Sequence, residues 1–400
     1  MLGKIWFLLF LLAVDCYTIN QEISLQNTLL NGYNRRIRPG IDRSQPVKVT
    51  VGFNLVALQE FSETDGKIAV VGAFRIRWID EKLAWNPASY GNDLYSTKVF
   101  FGDIWVPKFV NLNPYHTLKR VGLDDMDCEL KYNGRVDFRP PDLFESTCDA
   151  DVTYYPFDKQ SCSLLYYIPG YNTADVIILT ESSNFNMNLY NPNGLWEVID
   201  TSLTVETNSF NVQIIHLTIS MTRRTTYYIA GLLLPIVLMN FIQLFVFLLP
   251  VESGERLGFS ITVLLAVAVF LTIIQDKLPE ASEPNVSLLT YKLLVDMIIG
   301  SGMILAVVIG MRFYHRSDEI RIPQILRGLT RCYLCCTQTP SIKPDEVVQI
   351  ESEKLDIESD KSSITWTDVG KAFDIVCLSL FFFSLVMNNI VYFITIFVKI

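Results

Sequence analysis

The chain has 400 residues, half of them apolar, and a positive mean hydropathy, which is more than one ordinary domain holds and more apolar than a water-soluble fold requires. Its 42 acidic and 33 basic residues leave a net charge of −9, which argues against nucleic acid as a partner and suits a surface that gathers cations, although solubility alone would account for it. Three histidines (His116, His216, His315), no glycine-rich phosphate loop, no serine-centred nucleophile elbow and no metal-spaced cluster leave an enzyme, cofactor or metal-centre reading without support.

The first sixteen residues, MLGKIWFLLFLLAVDC, carry one lysine and then an apolar core from Ile5 to Val14 that is too short to cross a bilayer. They read as a cleaved signal peptide ending near Cys16. Residues 17–224 read as short strands and turns. Val47, Val49, Val51, Phe53 and Leu55 alternate with mostly polar neighbours, and Asp65-Gly66 is a turn signal. Ile215, Leu217, Ile219 and Met221 alternate with His216, Thr218 and Ser220. Roughly two hundred residues of this kind predict an extracellular β-sandwich of Ig-like topology class.

Three cysteines fall in this part: Cys128, Cys148 and Cys162. An odd number in an oxidising compartment means one bridge and one leftover thiol. Cys148 with Cys162 is the expected pair, because a loop of ~15 residues closes easily and adds ~3 kcal/mol by the chain-entropy account. Cys128 is then either buried and free or paired elsewhere.

Beyond Arg224 the pattern changes. The stretches 228–249, 257–274 and 375–398 are free of charge, and 293–311 carries only Asp296. At ~20 apolar residues per ~30 Å of hydrocarbon, these predict a four-helix transmembrane bundle, in a domain order of 225–311 for helices 1–3, 312–371 for a cytoplasmic loop and 372–400 for helix 4. With the sandwich outside, four crossings return the C-terminus outside. Arg312, Arg316, Arg321, Arg327 and Arg331 follow the third span, as a cytoplasmic flank requires, whereas Arg223 and Arg224 precede the first span against that rule and are candidates for structural work. The loop turns acidic later (Glu351, Glu353, Asp356, Glu358, Asp360), either disordered or a helix leading into the fourth span. Its Cys332, Cys335 and Cys336 are either palmitoylation sites or ordinary cytosolic thiols.

In the second span Gly258, Thr262, Leu265, Val269, Thr272 and Asp276 recur at spacings of four and three, so they share one helix face. Glu255 lies at the cytoplasmic end and Asp276 at the outer end. Several copies around an axis would place carboxylate rings at both mouths and a Leu265/Val269 girdle able to close by dewetting. The plainer reading is a face of small and hydroxylated residues packed on neighbouring helices.

The loop with Tyr155-Pro156-Phe157-Asp158 before Cys162, the stretch Trp78-Ile79-Asp80 to Trp85-Asn86-Pro87, Trp105-Val106-Pro107, Arg223-Arg224 before Tyr227-Tyr228, Leu232 to Pro235, and SGERLGFSITVLLAVAVFL from Ser253 to Leu271 together resemble the Cys-loop receptors, and among them the nicotinic acetylcholine receptors. The resemblance covers nearly all of the chain after residue 16. It implies a plasma-membrane pentamer with four further like subunits, a pore lined by the second helix, small-molecule ligands between adjacent outer domains, permeant cations, and bilayer lipid or sterol as surroundings. Gly254-Glu255-Arg256 matches the cation-selective branch, where the anion-selective branch has Pro-Ala in place of the glutamate. Arg223 matches a basic residue that pairs with an acid in the first hairpin, here Glu63. Tyr155, Pro156 and Phe157 match the loop that transmits gating to the linker at Leu278–Ser287, which holds Pro279.

The resemblance breaks at the ligand site. Acetylcholine-binding members hold a quaternary ammonium in an aromatic cage and mark the capping hairpin with adjacent cysteines. Leu112 stands where a tyrosine is expected, and Pro169 and Ala73 where tryptophans are. The hairpin EVIDTSLTVETNSFNVQ has no cysteine and only Phe210 as an aromatic. Tyr166, Tyr167 and Tyr171 line either the pocket or the core; Tyr167 and Pro169 share a strand face. This combination is similar to the cephalopod chemotactile receptors, nicotinic-type channels without the neurotransmitter cage that respond to poorly soluble or bitter contact chemicals. An accessory subunit of a mixed pentamer and a non-conducting adhesion or signalling receptor are the competing readings.

Overall fold

The computed structural model describes residues 17–91, 93–251, 254–278, 286–317, 320–337 and 364–399. The signal-peptide segment, Pro279 and the acidic stretch 351–360 lie outside the described residues. The chain forms two compact units: one holds the residues up to Ala150 together with Lys159–Arg224, the other Asp151–Asp158 together with Thr225 onward.

The first unit is a two-sheet sandwich. Its strands are β1 (Val47–Ser62), β2 (Lys67–Ala84), β3 (Ser96–Phe100), β4 (Val110–Asn111), β5 (Asp127–Lys131), β6 (Asn133–Phe138), β7 (Pro141–Thr147), β8 (Lys159–Tyr167), β9 (Val176–Thr180), β10 (Trp196–Thr207) and β11 (Gln213–Arg223). The larger sheet runs β3-β5-β6-β2-β1-β9 with β7 also paired to β2, and the smaller runs β10-β11-β8-β4. Alternation in β1 buries Val47, Val49, Val51, Phe53 and Leu55, and in β11 it buries Ile215, Leu217, Ile219 and Met221. Gly66 turns the β1–β2 hairpin at φ +61°, a conformation glycine adopts without a Cβ penalty. Between the sheets Phe53, Phe74 and Phe144 pack edge to face at 5.2 to 5.5 Å.

A helix, α1 (Ile19–Leu30), precedes the strands, where the sequence reading had strands and turns from residue 17. The reason is local: the Gln21 side chain reaches back to accept from the Thr18 N–H at 2.7 Å, in capping-box fashion.

The second unit contains α2 (Thr226–Phe247), α3 (Arg256–Gln275), α4 (Leu288–Tyr314), α5 (Gln324–Thr337) and α6 (Trp366–Lys399). Four of these, α2, α3, α4 and α6, are long and apolar enough to cross a membrane. In α2 a π-turn over Ile229–Leu233 precedes Pro235, with the Leu234 N–H reaching back to the Ile229 carbonyl. Proline supplies no amide, and a widened turn is one way a helix absorbs that loss. α6 begins at Trp366, so the end of the 312–371 segment is a helical lead into the fourth span.

The third span starts earlier than its charge-poor core suggests, and it carries Lys292 as well as Asp296. The lysine is tolerated because it is neutralised: its Nζ lies 2.5 Å from Asp296 Oδ2. Asn240 of α2 donates to the same oxygen at 2.7 Å, and Asn388 of α6 donates to Oδ1 at 2.7 Å. One carboxylate therefore ties three helices, with both charges out of solvent. Nearby, Leu244, Phe247, Met303, Val307 and Leu385 form the apolar core of the bundle.

Candidate functional site

The helix α3 is divided lengthwise by burial. Arg256, Ser260, Val267, Leu271 and Ile274 are buried against the rest of the unit. On the other side Gly258, Thr262, Leu265, Val269, Thr272 and Asp276 are all exposed, with Leu265 at 64% and Val269 at 50%. Among the described residues this stripe lies on the exposed side of α3, open to a pore or to helices of neighbouring subunits alike. The Thr262 hydroxyl donates to Gly258 O and that of Thr272 to Val269 O, each at 2.8 Å. Their protons are thus held by the helix and their oxygen lone pairs remain as acceptors on the stripe.

Charge at the inner end is sorted by burial. Glu255 is exposed, while the adjoining Arg256 turns inward and is neutralised by Asp374 of α6 at 2.9 Å. Arg256 Nε also donates to Leu249 O at 2.6 Å, and the Tyr314 hydroxyl donates to Asp374 at 2.9 Å. Sequence reasoning missed Asp374 and Tyr314; they lie far along the chain from Arg256, and no local pattern connects them.

The 148–162 loop is closed by a disulfide with S–S 2.01 Å and Cα–Cα 5.5 Å. Cys128 is buried and free, which resolves the question left open for it. The loop's tip, Asp151–Asp158, belongs with the helices. The Leu288 N–H, at the start of α4, donates to Thr153 O at 2.9 Å. Tyr155 packs edge-on to Tyr228 at 5.5 Å, and Phe157 faces Phe397 at 6.5 Å; the Tyr155–Pro156 peptide is cis. Within the sandwich, Arg223 meets Glu63 at 2.6 Å. Its guanidinium also lies over the Trp196 ring at 4.2 Å.

The candidate ligand residues are spread over both sheets and the loops beside them. Tyr167 ends β8, in register with Val110 and Ile214, and the Leu112 N–H donates to Leu165 O at 2.7 Å. Just beyond, Tyr171 stands edge-on to Trp105 at 6.1 Å and its hydroxyl accepts from Trp105 Nε1 at 3.1 Å; Pro169 lines the same cavity. Phe210 caps the β10–β11 hairpin and is 81% exposed. The tip is held by the Asn208 side-chain oxygen, which accepts from the N–H groups of Phe210 and Val212 at 2.9 and 3.0 Å. Tyr166 is core: it is buried against Phe74 at 5.2 Å and Phe144 at 5.8 Å.

Ala73 sits apart, on β2 of the larger sheet between Asn54 and Pro141. Strand alternation sets Arg75 and Arg77 on the same face as Ala73, both reaching Glu181, with Arg135 beside Asp137 at 3.1 Å.

The family model for the neurotransmitter-gated ion-channel ligand binding domain matches residues 22–225, and that for the neurotransmitter-gated ion-channel transmembrane region matches residues 232–361. The chain belongs to the neurotransmitter-gated ion-channel family. Similar proteins include acetylcholine receptor subunit beta of Xenopus laevis, 28% identical over 84% of this chain and 71% of that one. Acetylcholine receptor subunit alpha-1-A of the same species is 30% identical over 80% and 71%, and the alpha-type acr-15 subunit of Caenorhabditis elegans 32% over 66% and 55%. This neurotransmitter-gated channel chain is thus a nicotinic-type ligand-gated ion-channel subunit and not an enzyme. Members of the family are multi-pass plasma-membrane proteins with an extracellular N-terminal domain, and they form pentamers that respond to small molecules.

Proposed function

We propose that this subunit contributes to a cation-selective channel opened by a hydrophobic or other non-acetylcholine contact chemical, in a chemosensory role. The observation that carries the reading is the altered ligand face: Leu112, Pro169 and Ala73 at the expected cage positions, and a capping hairpin without cysteine. Such a face offers apolar area in place of cation-π attraction. The similarity to acetylcholine receptor subunits therefore carries over as architecture and not as ligand. Cation selectivity is supported by Glu255 and Asp276, exposed at the two ends of the stripe, and by the neutralisation of Arg256.

In this mechanism a ligand is captured beneath the 201–213 hairpin. Movement passes through the 148–162 loop and the Glu63–Arg223 pair, and the Leu265/Val269 constriction is relieved. The cysteine-free hairpin also favours a second reading, an accessory subunit that supplies only a complementary face in a mixed pentamer.

Expression of the chain alone in a non-excitable cell, with currents recorded under acetylcholine and then under a panel of hydrophobic natural products, separates these readings. Currents to hydrophobic compounds alone are expected. Acetylcholine currents would refute the ligand reading, and silence rescued by a second subunit would favour the accessory one. Glu255→Ala is expected to lower cation over anion permeability, and unchanged reversal potentials would count against its role.

A further inference from the structure

The sandwich holds a cavity of about 710 Å³ beside Trp105 and Tyr171, lined by residues of one unit alone. Its size lies within the ~300–1,000 Å³ range of small-molecule sites. Aromatic walls come from Phe100, Phe101, Trp105 and Tyr171, while among the described residues the charged ones that line it are Arg35, Arg36, Lys108 and Arg120, all of them cationic. No carboxylate is among the lining residues.

The four cations differ in commitment. Arg35 donates to the Gly102 carbonyl. Arg120 lies over the Phe101 ring at 4.7 Å and pairs with the exposed Asp124 at 2.8 Å. Arg36 and Lys108 are exposed, and neither makes an ion pair among the described residues. The Tyr171 hydroxyl accepts from Trp105 and remains able to donate its own proton. An aromatic trough with uncompensated cations and a spare hydroxyl donor has the chemistry to bind an apolar body that ends in an anion.

We infer that this cavity binds amphipathic organic anions, with the aromatic or alicyclic body against Phe100, Phe101 and Trp105 and a carboxylate or sulfonate toward Arg36 and Lys108. The inference deepens the non-amine reading of the ligand face, because Pro169 and Tyr171 line the cavity. It names the sign of charge that the ligand carries.

The test uses 4-benzoylbenzoate, a photoreactive aromatic carboxylate, and its neutral primary amide. Both are irradiated with the full-length protein in cell membranes, and labelled peptides are mapped by mass spectrometry. The acid is expected to label peptides covering 100–109 or 168–171 about tenfold more than the amide, the weight of one hydrogen bond to a charged group. The exposed double substitution R36Q/K108Q should remove that preference with an unchanged size-exclusion profile. Equal labelling by acid and amide, labelling confined to other segments, or a preference that survives R36Q/K108Q would overturn the assignment. Labelling reads occupancy without current, so any of these results leaves the agonist reading to stand or fall on the recordings.

Discussion

Arg223 Nη2 lies 2.6 Å from Glu63 Oε1, with the arginine side chain only 2% exposed and its guanidinium 4.2 Å from the Trp196 ring centre. An exposed ion pair would contribute less than ~1 kcal/mol, but this one is screened from water on the arginine side. Removing Arg223 leaves the partly exposed Glu63 carboxylate without its charged donor, at a cost of ~1.5–3 kcal/mol. Arg223→Gln is therefore expected to lower the thermal stability of the solubilised protein by several degrees and to weaken agonist gating in channels that still reach the surface. Normal expression with unchanged stability and gating would reject the role.

The Lys292–Asp296 pair predicts a difference between single and double substitutions. Lys292→Met leaves Asp296 with the amides of Asn240 and Asn388 but no cation, a loss of ~3–5 kcal/mol, whereas K292M/D296N removes both charges, keeps an acceptor for those amides and should recover most of it. Heating followed by size-exclusion chromatography of the three proteins measures the difference. Equal losses in single and double variants would show that the pair is not coupled.

Leu265 and Val269 lie on the exposed stripe of α3. If they close the pore by dewetting, a hydroxyl at that level should let water remain. Leu265→Ser is expected to raise the unliganded current and shift activation to lower ligand concentration. A variant with wild-type resting current and dose dependence would place the constriction elsewhere.

Burial, with the Asp127 carboxylate adjoining, pushes the Cys128 thiol up to about 12. At pH 8 the reactive thiolate is then on the order of 10⁻⁴ of the population. N-ethylmaleimide should leave Cys128 unmodified in the folded protein and modify it after denaturation in detergent. Rapid labelling of the native protein would contradict the buried environment.

Patterns of short range were legible in the chain itself. Period-two alternation located β1 and β11, three uncharged runs and one carrying only Asp296 located four spans, and spacings of three and four aligned Gly258 through Asp276 on one face. The limits of this reading are physical. The helix α1 depends on a capping box rather than on an apolar stripe, and the start of α4 depends on Lys292 finding Asp296, Asn240 and Asn388 around it.

The sequence by itself determined which segments bury apolar surface and in what periodicity, because those choices are made within a turn or two of backbone. It also places Ala73, Leu112 and Pro169 where the resemblance expects aromatic rings, a local difference that needs no folding to be read. Only the tertiary structure decided which charges matter. It buried Arg256 on Asp374 while leaving Glu255 in the open, set Arg75 and Arg77 beside Ala73, and brought Arg36, Lys108 and Tyr171 to one cavity. The free energy of a charge depends on its solvent exposure and on partners that are distant in the chain, and neither is written in local order.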